Sequence, residues 1–461
     1  MEFITKLFPP SGGAREETSK SRWGSMVKTS KDHQQEKRDS ERIQRTKAAL
    51  ARWDILKAAL LKQDISTEFS IHRFPGYQLV KREPLENMMK MRSSLRRVNV
   101  SMRGPLSLEE QVEIAILAIG CMPRSSEFSV KIEGYDSTKP FLEALQQLCS
   151  PSYEISRQEG ATSSAWELNV NQYTDPKLAH YRCCRYPLDS HCSIVTREPK
   201  KTRVSLDDLV SHRKSGVDNT GNICIWDSER TLAYLLYNGM LEVSPTTRHI
   251  LELGAGMAGM SGMALGLKLA QRDDLKDGKI HVTLTDGHAD GVKNNRVNLA
   301  LSRSWYSAKK TNPFEHLVLD AKLLLWTAKK EDPAVDLEPQ DLCLVSDCTH
   351  FQNYHSALAV TIIRSLKVGG MAMLCQPHRK GSLSNFVDLV KSREGLVEVE
   401  WWSHSFLDEQ HRKATEEYRD AYDEQIHRPY ILILFKVRDL TEEDCEQLVE
   451  FQASRDAAKE Q

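Results

Sequence analysis

From about Ser205 onward, short apolar runs alternate with stretches whose apolar residues recur at helical spacing. Ile250–Leu253 is an apolar run that passes into a glycine-rich turn and a helix reaching Ala270. Lys279–Asp286 (KIHVTLTD) reads as a strand followed by a helix over Ala289–Ala300, and Leu342–Asp347 (LCLVSD) as a strand followed by a helix over Tyr354–Leu366. Met371–Gln376 (MAMLCQ) pairs in the same way with a helix over Leu383–Ser392. Val397–Trp402 and Tyr430–Lys436 (YILILFK) close the run as two strands, with little helical pattern between them beyond Asp408–Asp423. Strands alternating with helices predict an α/β fold, a doubly wound and mostly parallel sheet. The last two strands suit an antiparallel closing hairpin.

The first half of the chain is less regular. Residues 1–40 are polar, with no periodic apolar content, and are expected to be disordered. From Glu41 to Gln63, Ile43, Ala48, Leu50, Trp53, Ile55, Leu56 and Leu60 fall at helical spacing. Phe69–Val80 alternates as a strand pair around Pro75-Gly76. Between 83 and 200 only Leu108–Leu117 and Phe141–Leu148 read as helices, and Arg157–Ala165 as a polar loop. No internal repeat is present. The expected organisation is a basic tail over 1–40, an N-terminal helix, strands and an insertion over 41–204, the α/β domain over 205–437, and a helical tail over 438–461.

Composition narrows the class. The chain has 461 residues, 40% apolar and 28% charged, which is enough apolar material for a sizeable core and leaves room for two to three domains. Net charge is −1, unevenly spread. Residues 1–100 hold 21 Lys and Arg against 12 Asp and Glu, a net of +9, and the remainder holds 42 against 52, a net of −10. The basic end could meet an acidic partner or nucleic acid, and a solvated tail would carry the same charge. The ten cysteines contain no CxxC pair. The densest cluster, Cys183, Cys184, His191 and Cys192, lacks the second ligand pair of a zinc site, so no metal is expected and the thiols suit a reducing compartment. No apolar run approaches the ~20 residues that span a bilayer. The opening MEFITKLFPPSGGAREE has no apolar signal core. The expected location is the cytoplasm, with access to the nucleus.

The sharpest chemical signal is HILELGAGMAG, His249–Gly259. A strand ends in Glu252, and Gly254, Gly256 and Gly259 then open a helix. Glycine allows a tight turn and a close approach of backbone to ligand. Such a turn serves NAD, FAD and S-adenosylmethionine alike, and a tight strand-to-helix turn with no ligand would look the same. Asp286 ends the next strand, 30 residues after Gly256, where a carboxylate can accept both hydroxyls of a ribose. Together they point to an adenosine-type ligand. Two features favour methyl over hydride transfer: no second βαβ nucleotide half follows, and Ser346-Asp347-Cys348 forms a polar cluster at the carboxyl end of a strand, the crevice where such sheets bind ligands. Asp347 could equally cap a helix.

DNTGNICIW (Asp218–Trp226) followed by SERTLAYLL, LELGAGMAGMSG at Leu251–Gly262, LTDG at Leu284–Gly287, SDC at Ser346–Cys348, GGMAMLCQPHRKGSLSNF at Gly369–Phe386 and HRPYILILFK at His427–Lys436 carry a further indication. Together they closely resemble the calmodulin-lysine methyltransferases, which belong to family 16 of the seven-β-strand class I methyltransferases. ARWDILKAALLKQ (Ala51–Gln63) resembles that family's N-terminal helix. The resemblance covers residues 48–80 and 186–437. It implies a Rossmann-like seven-stranded sheet with an antiparallel last strand, S-adenosyl-L-methionine as cofactor, and a protein substrate, calmodulin, acted on by a monomer that needs neither membrane nor nucleic acid. By position, Trp226 would border the cofactor. Glu252, Gly254, Ala255 and Gly256 would line its methionine and ribose side, and Asp286 would take the ribose hydroxyls. Trp326, after the third strand, would flank adenine, and a core tryptophan is the alternative. Ser346 would contact the adenine side through its backbone, and Asp347 would sit where methyl donor and lysine meet.

Two departures stand out. The family often carries an aromatic three positions after the acid, whereas here Asp347-Cys348-Thr349 is followed by His350, with Phe351 one step late. The stretch 83–185 is longer than the family core needs. The implied reaction is in-line displacement at a sulfonium methyl by a neutral lysine amine, whose free pKa is about 10.4. Asp347 is the candidate to orient that amine. Alternatives are methylation of another protein lysine, on a chaperone or elongation factor, and a non-catalytic module that only holds S-adenosylmethionine. A nucleic-acid methyltransferase lacks support, since neither an NPPY-type site nor a Pro-Cys nucleophile is present. An NAD-dependent reductase would be tested by nicotinamide binding.

Overall fold

The structure, a computed structural model, describes residues 76–85, 97–99, six positions between 110 and 118, 129–131, 153–157, 165–170, 180–200, 224–272, 275, 278–306, 312–330, 337–419 and 422–460. The expectations for residues 1–40, the helix over 41–63, the start of the 69–80 strand pair, the helix over 141–148, the 158–164 loop and most of DNTGNICIW lie outside these residues.

Five short strands come first: β1 (Glu83–Pro84), β2 (Arg97–Asn99), β3 (Ser129–Lys131), β4 (Tyr153–Arg157) and β5 (Ala165–Val170). β6 (Tyr181–Pro187) and β7 (Ser193–Pro199) follow as an antiparallel pair. They form two small sheets, ordered β1-β6-β7 and β2-β3-β5-β4. The segment at 76–80, expected as a strand, has no strand pairing. Residues 110, 111, 113, 114, 117 and 118 are helical, as the apolar spacing predicts.

The remaining elements build the domain that carries the site. α1 spans Asp227–Tyr237, β8 His249–Leu253, α2 Met260–Leu269, β9 Ile280–Asp286 and α3 Ala289–Tyr306. β10 spans Leu317–Leu323, β11 Gln340–Ser346, α4 His355–Ser365, β12 Leu366–Gln376 and α5 Ser382–Lys391. β13 spans Val397–Trp402, α6 Ser405–Tyr418, α7 Glu424–His427, β14 Tyr430–Lys436 and α8 Glu442–Glu460. The seven strands pair in the order β10-β9-β8-β11-β12-β14-β13. The first five are mutually parallel, and β14 runs antiparallel to both β12 and β13. This is the expected doubly wound sheet with an antiparallel closing pair. It contains one strand absent from the pattern reading, β10, whose apolar positions alternate with Asp320 and Lys322 at the sheet's edge.

Period-two alternation assigns each strand's side chains to opposite faces. Ile250, Val282, Leu284, Leu344 and Met373 pack with α1, α2 and α3, and Leu251, Leu253, Val345, Leu374 and Leu434 pack with α4, α5 and α8. The sequence order reverses between β8 and β11, which pair in parallel from Leu342↔Ile250 to Val345↔Leu253. That reversal opens a crevice at their carboxyl ends.

The small sheet is joined to this domain through α3. β7 pairs with β6 on one edge only, and side chains of α3 serve the other edge. Asn298 Oδ1 accepts the Arg197 N–H at 2.7 Å, and Asn294 Nδ2 donates to the Arg197 carbonyl at 3.1 Å. Ser302 Oγ accepts from Val195 N–H at 2.9 Å and donates to the Val195 carbonyl at 3.0 Å. The Tyr306 hydroxyl accepts from the Ser193 N–H and donates to the Ser193 carbonyl at 3.0 Å. Four residues of helix advance about 6.0 Å and two of strand about 6.6 Å, so positions 298, 302 and 306 keep step with 197, 195 and 193.

Candidate functional site

The site grows from the turn after β8. Gly254 has φ +65°, the left-handed region that side chains disfavour. A Cβ there would lie 2.5 Å from Cys348 Sγ and 3.4 Å from Trp326 Cζ2, so that side of the turn is already filled and only glycine fits. The Ala255 N–H bonds the Thr285 carbonyl at 2.8 Å, tying the turn to β9. The Gly256 N–H donates to Asp286 Oδ2 at 2.9 Å, and the His288 N–H to Asp286 Oδ1 at 2.8 Å. Burial raises the Asp286 carboxyl above its ordinary value, against the pull of these two N–H groups. Two hydrogen bonds leave lone pairs on both oxygens for a further donor.

α3 holds the turn from behind. Asn295 Nδ2 donates to the Gly256 carbonyl at 3.0 Å, and Asn294 and Asn298 both donate to the Met257 carbonyl at 2.7 Å. The same two asparagines hold β7, so one helix face links the glycine turn to the small sheet.

Two buried carboxylates secure the start of α2. Glu229 Oε1 accepts the Met260 N–H at 2.8 Å, and Glu252 Oε2 accepts the Gly262 N–H at 2.7 Å. Acidic groups suit the positive end of a helix. A Cβ at Gly262 would sit 2.9 Å from Glu252 Oε2, so glycine makes this approach possible. Burial pushes the Glu252 carboxyl up to about 7, and burial together with the Glu252 charge holds Glu229 well above the usual range. The Glu252 carboxylate is therefore used inside the protein, beneath α2 and 1% exposed, rather than along the open side of the turn where the resemblance put it.

Across the crevice, β11 ends at Ser346, whose hydroxyl lies 3.4 Å from that of Ser261. Asp347 follows with φ +52°, its N–H on the Cys375 carbonyl at 3.0 Å. It does not cap a helix, because α4 begins at His355 with Tyr354 at its N-cap. Its carboxylate meets Arg379 instead, with Nε on Oδ1 at 2.9 Å and Nη2 on Oδ2 at 2.6 Å. Arg379 and Lys380 also have positive φ, +43° and +56°. The Arg379 guanidinium lies 5.5 Å from the centre of the Trp226 ring, bringing Trp226 into the same group. His350 Nδ1 bonds the Asp347 carbonyl at 2.7 Å, while Phe351 packs edge-on against Trp326 at 6.2 Å. The aromatic contact thus falls to the residue one step late, and His350 stays with Asp347. Trp326 is half-buried at the lip of the turn.

The structure thus gathers Gly254, Ala255, Gly256, Asp286, Trp326, Ser346, Asp347 and Trp226 around one crevice, with Glu252 beneath it. Sequence reasoning missed Arg379, Glu229 and the three asparagines of α3. The asparagines left a signal: KNNRVN is polar and weakly helix-forming in mid-helix, which buried hydrogen-bonding duty explains.

Residues 207–393 match the family model described as lysine methyltransferase. This segment is a lysine methyltransferase-family domain. Over 211 residues the chain is 27% identical to a calmodulin-lysine N-methyltransferase of Arabidopsis thaliana. The match takes in 45% of this chain and spans 62% of that relative's length. Among solved structures, cofactor-bound Rv0187 from MTB is similar at 13% identity over 50% of this chain and 88% of its own, with a TM-score of 0.29. The plantazolicin methyltransferase BamL, solved with a triazolic desmethylPZN analogue and SAH, is similar at 13% identity over 46% of this chain and 85% of its own, with a TM-score of 0.27.

Proposed function

We propose that the chain is an S-adenosylmethionine-dependent protein-lysine N-methyltransferase whose substrate is calmodulin, acting as a monomer in the cytoplasm with access to the nucleus. The observation that carries this reading is a juxtaposition inside the family-matched segment. The glycine turn pinned by Asp286 and the Asp347–Arg379 pair end neighbouring parallel strands and face one crevice.

The residues present fit the cofactor. Asp286 would take the ribose hydroxyls, the side-chain-free backbone of the glycine turn would let the ligand approach closely, and Trp326 would cover adenine. When bound, S-adenosylmethionine would supply an electrophilic methyl on a sulfonium, with the neutral sulfide as its leaving group, for a neutral lysine Nζ whose surplus proton would pass to water. The chain's own part is to orient the amine at Asp347, to hold the turn rigid through the α3 asparagines, and to shield the crevice with Trp226 and Trp326. Positioning of this kind supplies much of the rate in a one-step displacement.

Calmodulin is favoured by the sequence resemblance and by the relative named above. A second reading, a module that holds the cofactor without transfer, draws on one observation: Arg379 already occupies both oxygens of Asp347. The deciding experiment is transfer of labelled methyl to purified calmodulin, with mass spectrometry to locate it. Incorporation on one lysine, lost in Asp286→Ala, supports the proposal. Cofactor binding without incorporation on calmodulin or on any protein of a lysate supports the second reading.

A further inference from the structure

Arg379 has no counterpart among the residues that the sequence reading carried to the site, yet its side chain is the nearest cation to Asp347. The contact is bidentate, at 2.6 and 2.9 Å, onto a carboxylate only 7% exposed. It is held in place: Arg379 is 22% exposed, its N–H donates to the Gln425 carbonyl at 2.6 Å, and its guanidinium lies over Trp226. Three residues of this group, Asp347, Arg379 and Lys380, sit in the left-handed region without being glycine, a cost that proteins accept where geometry serves function.

A bare carboxylate beside a substrate lysine works against methyl transfer. It stabilises the ammonium, whose lone pair is tied to a proton, and opposite charges at such range move a pKa by roughly 1–3 units. The neutral pair formed with Arg379 removes that bias and still offers acceptor lone pairs to an amine N–H. Resting on the reading of the chain as a lysine methyltransferase, we propose that Arg379 is the positioning residue that cancels the charge of Asp347, so that the carboxylate orients the incoming amine without holding it protonated.

The other charged and titratable groups facing the pair come from several elements. From α1, Asp227 and Arg230 approach each other at 3.3 Å and largely cancel. From its own loop, His350 stands 3.9 Å from Asp347 Oδ1. From α7, His427 faces Arg379, and burial followed by that cation lowers it below its ordinary value. The thiols of Cys224, Cys348 and Cys375 are pushed up by burial and stay neutral. Among these, His350 is the histidine beside the Asp347 carboxylate itself, so His350→Gln serves as the control.

The test is the pH dependence of kcat on saturating calmodulin, from about pH 6.5 to about pH 10, for the wild type, Arg379→Gln, Arg379→Lys and His350→Gln. S-adenosylmethionine affinity is measured beside it by calorimetry. The expected result for Arg379→Gln is an acid limb displaced upward by about 1–3 units. Its kcat then falls at least about tenfold near neutral pH and converges on the wild-type value at the alkaline end, with cofactor affinity retained. Arg379→Lys, keeping the cation, restores most of the limb. A drop that is the same at every pH, an unmoved limb, or a limb that follows His350→Gln instead would overturn the proposal. Absence of turnover by the wild type on any protein would remove the lysine methyltransferase reading itself, and with it this one.

Discussion

Asn298 carries a prediction that separates the fold from the site. Its side chain is 1% exposed and makes two bonds of 2.7 Å, accepting from the Arg197 N–H and donating to the Met257 carbonyl. Asn298→Ala strands the Arg197 N–H in the interior, which costs about 1–3 kcal/mol, and leaves a small void worth roughly 1 kcal/mol more. The Met257 carbonyl keeps Asn294, so the turn loosens without collapsing. The expected outcome is a loss of about 2–4 kcal/mol in urea denaturation and a cofactor affinity weakened several-fold. Ser302→Ala, one turn further along the same face, strands both the N–H and the carbonyl of Val195 but touches no atom of the glycine turn. It should lose comparable stability and keep its affinity. A cost below about 0.5 kcal/mol for Asn298→Ala would refute the ladder between α3 and β7. An equal loss of affinity in Ser302→Ala would refute the link from that ladder to the turn.

Asp286→Ala removes the acceptor of two backbone N–H groups and the proposed ribose contact. Cofactor binding by calorimetry should weaken by about 100-fold, and a change of less than about threefold would exclude the assigned role. Gly254→Ala puts a Cβ 2.5 Å from Cys348 Sγ at a φ of +65°, so a melting-temperature drop equivalent to about 1–3 kcal/mol is expected. Because burial raises the folded-state value of Glu252 to about 7, above its unfolded value, its contribution to stability is fully present under acid conditions. That contribution is lost as pH rises through about 7. Glu252→Gln should therefore gain on the wild type between about pH 4.5 and pH 8, by up to about 3 kcal/mol, and denaturation curves that stay parallel across that range would contradict the buried charge.

What the sequence displays and what it conceals follow one physical rule. β8, β9, β11, β13 and β14 are legible because both of their faces are buried or their alternation is clean, so the pattern needs no knowledge of neighbours. β10 escapes the pattern reading because an edge strand with Asp320 and Lys322 on its wetter positions looks like a loop. β1, β2 and β3 escape because two or three residues show no periodicity, and in β6 and β7 the charged Arg182, Arg185, Arg197 and Glu198 interrupt the apolar positions. β7 has half its hydrogen bonds supplied by side chains of a helix a hundred residues away.

The site divides along the same line. Gly254, Gly256 and Asp286 announce themselves, since a glycine turn followed by an acid at the end of the next strand has few other uses. Arg379 is silent, because a lone arginine in HRKG has the composition of any surface turn. Only the fold, by placing the end of β12 beside the end of β11, turns it into the partner of Asp347. The departure after Asp347 yields to the same argument. With no helix until Gln352, the chain makes an extra turn, and that turn delivers Phe351 to Trp326 while leaving His350 over the acid. A position-by-position comparison with a family expects the aromatic three residues on because it assumes that the helix begins there. Here the contact is kept and the spacing is not, which is the outcome expected if packing against Trp326, rather than register along the chain, determines where the aromatic must stand.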